Sequence, residues 1–274
     1  MKLCRFQTPN FSANEMDRSV HQIHPEIRNG IIEGNQVYEI RGDFWGQRER
    51  SGLSWPLNSV KLLPPVTPSK IVCIGRNYPE HAKELGNDVP KEPLIFFKPP
   101  SSLIAPDEPI VLPRISERVD YEGEVAAIIG RRFRILPAGE DISAYILGYT
   151  CLNDVTARDL QRRDGQFTRG KGFDTFCPLG PLIETSLDLA GATLETFLNG
   201  TRKQSGHTSE MIFSLDVIIR YIAQVMTLEP GDVIATGTPS GVGSLAAGDV
   251  VEVSVSGVGT LRNPVIGTVE DAEN

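Results

Sequence analysis

One segment constrains the fold more than any other part of the sequence: residues Asp120–Gly130, which read DYEGEVAAIIG. In an extended chain, successive side chains point to opposite faces of the strand. The face of Glu122 and Glu124 continues as Ala126 and Ile128, and the other face carries Tyr121, Gly123, Val125, Ala127 and Ile129. Because both faces are largely apolar, we expect a strand that is buried on both sides.

Glu122 and Glu124 share one face of that predicted strand, with Cβ atoms about 7 Å apart. The pair has a second interpretation, the solvated face of an edge strand. Two like charges in a buried region require a cation or shifted pKa values. Carboxylate oxygens suit a hard cation such as Mg²⁺ or Mn²⁺, so the context favours a metal site.

A third carboxylate, Asp154, follows an apolar stretch and precedes a predicted helical turn. Taken alone, Asp154 is better explained as an N-cap or turn residue. On that turn Arg158 and Gln161 are three residues apart and share a face. Arg158 is suited to bidentate binding of a substrate carboxylate, and equally to a surface salt bridge.

The segment Gly165–Lys171 has the spacing of a phosphate-binding loop, but Gly172 stands where that loop needs Ser or Thr. We therefore reject nucleotide binding. Lys171 itself is either a partner for an anionic ligand or an ordinary exposed lysine. The loop Thr236–Gly243 is either an anion-binding loop of backbone N–H groups, with the Thr238 hydroxyl added, or a plain hairpin turn.

The segment Tyr78–Gly86 predicts a short helix that ends at its glycine. His81 and Glu84 share one face of this helix. A carboxylate beside an imidazole fixes its tautomer and raises its basicity, which suits a general base acting on water. Spacing alone favours an incidental surface pair. The glycines that flank the segment, Gly75 and Gly86, would permit it to move as a lid.

Glycine and proline are both frequent in the 274 residues, with 26 and 20 copies. This composition favours many short strands joined by turns over a helix bundle. The proline-rich stretch Lys61–Lys70 indicates an extended connection. It divides the chain into a predicted small N-terminal β-rich domain, residues 1–67, and a predicted catalytic domain, residues 68–274.

Two further elements follow from periodicity. The run Val250–Val255 alternates between valine and polar residues, which predicts a strand. Apolar residues at helical spacing follow Ser214, a suitable N-cap, and predict a helix. They are Leu215, Ile218, Ile219, Ile222 and Met226.

The net charge of −8 gives no broad basic surface for nucleic acid and no anchor for anionic lipids. The four cysteines include no CxxC pair, so the spacing of structural zinc sites is missing. The N-terminus has no apolar signal core, and no stretch has the length of a membrane helix. We therefore expect a cytoplasmic protein without a nucleic-acid or membrane partner.

Five segments in a fixed order together resemble the fumarylacetoacetate hydrolase family. They are GRNYPEH (Gly75–His81), DYEGEVAAIIG (Asp120–Gly130), NDVTARDLQ (Asn153–Gln161), GKGFDTFCPLGP (Gly170–Pro181) and TLEPGDVIATGTPSGVG (Thr227–Gly243). The resemblance covers about residues 68–267, and the segment Asn10–Arg28 has no counterpart in it. It is closest to short acylpyruvase and oxaloacetate-decarboxylase members, and bacterial homoprotocatechuate-pathway isomerase/decarboxylases are similar too.

The resemblance implies an α+β, β-rich fold built as a mixed β-sandwich roll, and a homodimer. It implies Mg²⁺ or Mn²⁺ as cofactor, with three carboxylates as ligands: Glu122, Glu124 and Asp154. It assigns substrate binding and enolate stabilisation to Arg158, Gln161, Lys171 and Thr238. It assigns a water-activating dyad, on a lid that becomes ordered with ligand, to His81 and Glu84.

From this resemblance we expect a metal-dependent hydrolase that cleaves a C–C bond in 2,4-dioxo acids of the acylpyruvate or fumarylpyruvate type. The reaction would pass through a pyruvate enolate. The alternative is a decarboxylase, isomerase or tautomerase of a 2-oxo acid, of the oxaloacetate or 2-hydroxyhepta-2,4-diene-1,7-dioate type. A third reading is a metal-binding member of the family without catalysis.

Overall fold

The structure is a computed structural model that describes residues 1–9 and 26–268. Of the segment Asn10–Arg28, residues 10–25 lie outside the described residues. Short strands dominate the described part of the chain, as its glycine and proline content predicts. The strands are β1 (Lys2–Gln7), β2 (Ile27–Glu33), β3 (Gln36–Arg41), β4 (Glu49–Pro56), β5 (Lys61–Leu63), β6 (Ile71–Gly75), β7 (Leu94–Lys98), β8 (Leu103–Ile104), β9 (Ile110–Val111), β10 (Val119–Tyr121), β11 (Gly123–Ile129), β12 (Ile146–Asn153), β13 (Thr156–Ala157), β14 (Cys177–Glu184), β15 (Thr193–Leu198), β16 (Thr201–His207), β17 (Val233–Ala235), β18 (Gly243–Ser244), β19 (Val250–Val255) and β20 (Gly259–Ile266).

Helices are short and few in the same residues. The α-helices are α1 (Pro79–Glu84), α2 (Arg158–Asp164), α3 (Thr168–Lys171) and α4 (Leu215–Val225). Single 3₁₀ turns occur at Leu57–Ser59, Pro100–Ser102, Ile142–Tyr145, Leu189–Gly191 and Thr208–Glu210. In the described part of the chain, no helix combines the length and the apolar character that crossing a membrane requires.

Twelve strands form one large mixed sheet, in the order β4-β3-β2-β1-β14-β12-β11-β17-β6-β7, with β5 beside β1 and β8 beside β14. Most neighbours are antiparallel, whereas β17 with β6 and β8 with β14 are parallel. A five-stranded sheet has the order β16-β15-β19-β20-β9, and a three-stranded sheet has the order β13-β10-β18. The predicted β-rich α+β class with mixed sheets is confirmed.

Strand β11 occupies the middle of the large sheet, between β12 and β17. Every residue of β11 is buried, so the prediction of burial on both sides is confirmed. Ala126 and Ile128 pack into a core formed by residues of the large sheet and its connections. On the other face, Val125 meets the five-stranded sheet, and Ala127 and Ile129 meet α4. The sheet is therefore the middle layer of the molecule at this point.

The two elements read from periodicity lie where the sequence predicts them. In β19 the three alternate valines are buried, and two of them, Val253 and Val255, pack against residues of the large sheet. Helix α4 begins after Ser214, whose side chain accepts a hydrogen bond from the Val217 N–H. The predicted extended connection Lys61–Lys70 contains a short strand, because Lys61–Leu63 pairs with β1.

Candidate active site

The predicted continuous strand is interrupted at Glu122. The chain leaves the three-stranded sheet after Tyr121 and enters the large sheet at Gly123. Asn153 stabilises the interruption, since its Oδ1 accepts a hydrogen bond from the Glu122 N–H at 2.9 Å. The Glu122 carbonyl in turn accepts from the Asp154 N–H at 2.8 Å. These two bonds fix Glu122 next to Asp154, which is distant in sequence.

The structure brings Glu122, Glu124 and Asp154 together. One carboxylate oxygen from each residue lies within 4.8 Å of the others, and all three side chains are buried. Asp154 is not the N-cap of the following helix, because α2 begins at Arg158 and its N-cap is Ala157. The interpretation of Asp154 as a cap is therefore wrong, and a place in the carboxylate cluster replaces it.

Asp154 lies between two buried lysines. Its Oδ2 accepts a hydrogen bond from Lys171 Nζ at 2.5 Å. Its Oδ1 lies 2.7 Å from Lys98 Nζ, but it receives no hydrogen bond. Lys98 Nζ donates instead to two backbone carbonyls, of Lys171 at 2.7 Å and Val155 at 3.1 Å. Lys98 thus connects the end of α3 to the segment that carries Asp154.

Glu122 also has two cationic partners. Lys171 Nζ donates to its Oε2 at 2.7 Å, and a guanidinium N–H of Arg158 donates to its Oε1. Arg158 is itself oriented by Asp120, which accepts from Nε at 2.9 Å. Burial alone would raise the pKa of Glu122, but the charges of Lys171 and Arg158 outweigh it and hold that pKa below its ordinary value.

Glu124 has no ion-pair partner among the described residues, and its Oε2 accepts from the Gly237 N–H at 2.8 Å. Burial, followed by the charge of Asp154, raises its pKa well above the ordinary value. Lys171 shows the opposite balance: burial would lower its pKa, but the charges of Asp154 and Glu122 raise it. The cluster therefore lacks positive charge at Glu124.

A hard divalent cation fits this cluster. The donors are carboxylate oxygens only, which suit Mg²⁺ or Mn²⁺. Asp154 Oδ1, which receives no hydrogen bond, and the buried Glu124 carboxyl group, which has no ion-pair partner among the described residues, are both groups that a cation would satisfy. Glu122, Glu124 and Asp154 are the residues that would bind it.

The predicted dyad is also present as a contact. His81 Nδ1 lies 3.3 Å from Glu84 Oε2 on α1, and His81 is buried. Both Glu84 oxygens accept from the Gly241 N–H, at 3.0 and 3.2 Å. The glycine-rich loop therefore presents its N–H groups to two of the protein's own carboxylates, Glu84 and Glu124. With Nδ1–H donated to Glu84, the neutral ring would present its lone pair on Nε2.

A cavity of about 310 Å³ opens above the carboxylates. All the predicted site residues except Glu84 line it: His81, Glu122, Glu124, Asp154, Arg158, Gln161, Lys171 and Thr238. Gln161 accepts from Arg158 at 2.7 Å, as their spacing predicts. The Thr238 hydroxyl donates to the Gly123 carbonyl and accepts from Gln204 Nε2, each at 2.7 Å. This hydroxyl is thus already used within the protein.

Several residues of the site carry no signal that sequence reasoning detected. Lys98 and Gln204 stand outside every motif that the sequence analysis quotes, and Asn153 stands in one of them without a predicted role; all three hold parts of the site by hydrogen bonds. Two aromatic residues, Phe96 and Phe167, form an apolar wall of the cavity, with ring centroids 5.2 Å apart. Lys171 Nζ lies 5.1 Å from the centroid of Phe96. The sequence gives one indication of Lys98, which is that this lysine ends the apolar strand β7.

Comparison with known proteins identifies the family. The profile described as Fumarylacetoacetate (FAA) hydrolase C-terminal matches residues 70–266, and the profile described as Rv2993c-like, N-terminal matches residues 1–65. Oxaloacetate tautomerase YisK of Bacillus subtilis is 40% identical over 232 residues, which cover 79% of this chain and 77% of YisK. Mitochondrial oxaloacetate tautomerase Fahd2a of Rattus norvegicus is 41% identical over 223 residues, which cover 77% of this chain and 71% of the relative.

A solved structure agrees over nearly the whole length. The 5-carboxymethyl-2-hydroxymuconate delta-isomerase of Mycobacterium smegmatis superposes with a TM-score of 0.87 and 41% identity, covering 98% of this chain and 100% of that one. The match includes both the β-rich N-terminal region and the region that carries the carboxylates. With the profile match and these relatives, the resemblance found in the motifs is confirmed, and the chain belongs to the fumarylacetoacetate hydrolase family.

Proposed function

We propose that this chain is a divalent-cation-dependent tautomerase or isomerase of 2-oxo acids, which interconverts the keto and enol forms of its substrate. The observation that carries the proposal is the buried cluster of Glu122, Glu124 and Asp154 at the floor of the cavity. The relatives named oxaloacetate tautomerase and delta-isomerase support this reading over C–C hydrolysis.

The residues of the cavity would have the following roles. A divalent cation bound by the three carboxylates would supply Lewis-acid polarisation of the substrate's 2-oxo group. Lys171 and Arg158 bring positive charge to the same cavity, which stabilises the negative charge of an enolate. Both are held by hydrogen bonds to Glu122, so they need no rearrangement during the reaction.

His81 is the group suited to move the proton. His81 Nδ1 lies 3.3 Å from Glu84 Oε2, and with Nδ1–H donated to that carboxylate, Nε2 would take the proton from C3 of the keto form. The same nitrogen would then return it to the enolate oxygen, which gives the enol and the starting state of the ring. The proton lost by carbon is thus the proton gained by oxygen, and no other reactant is consumed.

The test follows the decay of enol absorbance of oxaloacetate with chelator-treated protein, before and after addition of Mg²⁺ or Mn²⁺. Glu122→Gln should lower turnover by about 100-fold or more, since several kcal/mol of charge stabilisation would be lost. Mg²⁺ affinity, measured by calorimetry, should fall in parallel. The control Glu252→Gln removes a carboxylate from β19, outside the cavity, and should change neither value. Metal-independent turnover, or unchanged Mg²⁺ affinity in Glu122→Gln, would contradict the proposal.

A second candidate, hydrolysis of acylpyruvates, is favoured by the contact between His81 and Glu84. A base oriented by a carboxylate could equally activate a water for attack on a remote carbonyl. Product analysis separates the two: hydrolysis releases pyruvate and an acid, whereas tautomerisation leaves the carbon skeleton intact. Loss of CO₂ would instead indicate the decarboxylase. Bound metal without turnover of any of these substrates would indicate the non-catalytic reading.

A further inference from the structure

Two arginines in the cavity wall have no function in the site described so far. Arg76 and Arg162 both line the cavity. Among the residues that the structure describes, neither guanidinium has a hydrogen-bond or ion-pair partner. The other two cations of the wall, Arg158 and Lys171, are already paired with carboxylates of the cluster. Arg76 and Arg162 are therefore the cationic groups in this wall that remain available to a ligand.

The position of Arg162 follows from helix geometry. On α2, Arg162 lies four residues after Arg158 and so projects from the same face. Its neighbour Arg163 is also exposed and without a hydrogen-bond or ion-pair partner among the described residues, but it does not line the cavity. Arg163 projects from the adjacent face of the helix. Arg162 and Arg163 thus have the same side chain but project from different faces of α2, and only Arg162 lines the cavity.

The backbone at Arg76 is held in one conformation. It has a φ of +56°, in the left-handed region that an arginine adopts at a cost in energy. The next residue, Asn77, is buried and holds the turn: its Nδ2 donates to the Thr236 carbonyl at 2.8 Å, and its Oδ1 accepts from the Phe213 N–H at 2.8 Å. The turn therefore presents Arg76 to the cavity in one fixed backbone conformation.

The charges of the cavity wall also call for an anion with more than one charge. Four cationic side chains, Arg76, Arg158, Arg162 and Lys171, face three carboxylates. The wall has one excess positive charge by this count, and a divalent cation would raise the excess to three. A substrate with a single carboxylate would leave most of this charge unbalanced, whereas a dicarboxylate would balance two of the three charges.

We propose that Arg76 and Arg162 bind the second carboxylate of the substrate, so that the enzyme selects 2-oxo dicarboxylates over 2-oxo monocarboxylates. The inference rests on the proposed function, because it assumes that the 2-oxo acid end of the substrate lies at the carboxylate cluster. Guanidinium groups suit this task, since they bind a carboxylate through paired N–H donors and keep their charge at any working pH.

The experiment compares ligands that differ only at the distal end. Malate and 2-hydroxybutyrate share the 2-hydroxy acid group, and malate has a carboxylate where the other has a methyl group. Neither requires turnover, so calorimetry on the Mg²⁺-loaded protein measures binding alone. Arg76→Gln and Arg162→Gln should each reduce the preference for malate by about tenfold or more. Arg163→Gln, the neighbour outside the cavity, should leave the preference unchanged.

Kinetics supply the second measurement. In both cavity variants the KM for oxaloacetate should rise by a larger factor than the KM for C3 deuterium exchange in 2-oxobutyrate, which lacks the distal carboxylate. Equal weakening of malate and 2-hydroxybutyrate, or the same loss in Arg163→Gln, would overturn the assignment. If the parent protein turns over neither substrate but still prefers malate through Arg76 and Arg162, the proposed reaction fails and the anion site stands.

Discussion

At the scale of single residues, the site is organised by alternating charges. Asp154 lies between Lys98 and Lys171, and Lys171 in turn lies between Asp154 and Glu122. Each of these four charged groups is buried, so each depends on its neighbours to offset the loss of hydration. Glu124 is not part of this series of ion pairs. Because it has no cationic partner among the described residues, the cluster as a whole is suited to an added cation.

This dependence predicts the effect of Lys98→Met. The substitution keeps the length of the side chain but removes the charge beside Asp154 Oδ1 and the donor to the Lys171 carbonyl. Because it leaves a buried carboxylate without one of its two partners, we expect a loss of about 3–5 kcal/mol in the free energy of unfolding. Urea denaturation measures the change.

Lys61→Met is the matched control for that experiment. Lys61 forms an ion pair with Glu108 at 2.6 Å, but both side chains are substantially exposed, at 52% and 34%. Water screens such a pair, so the substitution should cost less than about 1 kcal/mol. Equal losses for the two variants would show that burial of Lys98 contributes nothing to its effect.

The sequence revealed the carboxylates because they stand in short motifs, and it missed Lys98 for a physical reason. Glu122 and Glu124 are two residues apart, so local geometry alone relates them. Lys98 meets Asp154 only through the pairing of distant strands around the site, which no local pattern encodes. The lysine of an apolar strand gives no indication of which carboxylate it will meet.

At the scale of elements, alternation predicted which strand is buried but not where it is interrupted. The run 121–129 alternates without a break in the sequence, yet the chain changes sheets at Glu122. The cause lies in Asn153, which replaces a strand neighbour as the hydrogen-bond acceptor for the Glu122 N–H. Helical spacing was more informative. In α2 and α4, the residues that a period of 3.6 predicts to share a face do share it.

The loop that follows β17 gives a prediction at this scale. Gly237 has a φ of +100°, donates its N–H to Glu124, and leaves no room for a side chain, because an added Cβ would lie 2.7 Å from Asn77 Cβ. Gly237→Ala should therefore shift the loop, lower the free energy of unfolding by more than about 2 kcal/mol, and weaken Mg²⁺ binding. Thermal unfolding and calorimetry measure the two effects.

Gly248 supplies the control for that prediction. Its φ is +95°, close to that of Gly237, but an added Cβ would meet nothing within 4 Å. Gly248→Ala should thus cost only the backbone penalty, about 1–2 kcal/mol, and leave Mg²⁺ affinity unchanged. If both variants lose the same stability and neither loses affinity, the contact between Gly237 and Glu124 is unimportant for the site.

At the scale of the whole molecule, the predicted division near residue 67 does not coincide with a division of the core. Leu3 and Ile31 pack in the same cluster as Ala126 and Ile128. Strand β1 pairs with β14, so the large sheet continues from one predicted domain into the other. The N-terminal region supplies five of the twelve strands of the large sheet, so we expect the two regions to unfold together.

The tryptophans make this expectation measurable, because both of them, Trp45 and Trp55, lie in the predicted N-terminal domain. Trp45 packs against the core cluster that contains β11, and an added Cβ on Gly231 would lie 3.3 Å from its ring. Tryptophan fluorescence therefore reports on residues 1–67, while far-ultraviolet circular dichroism reports on the strands of the whole chain.

We expect the two signals to give the same urea midpoint and the same slope, as a single cooperative unit requires. A fluorescence transition at lower urea, with most of the dichroism retained, would show that the N-terminal region unfolds independently. Trp45→Phe, which leaves Trp55 as the only reporter, tests whether either tryptophan follows a merely local change.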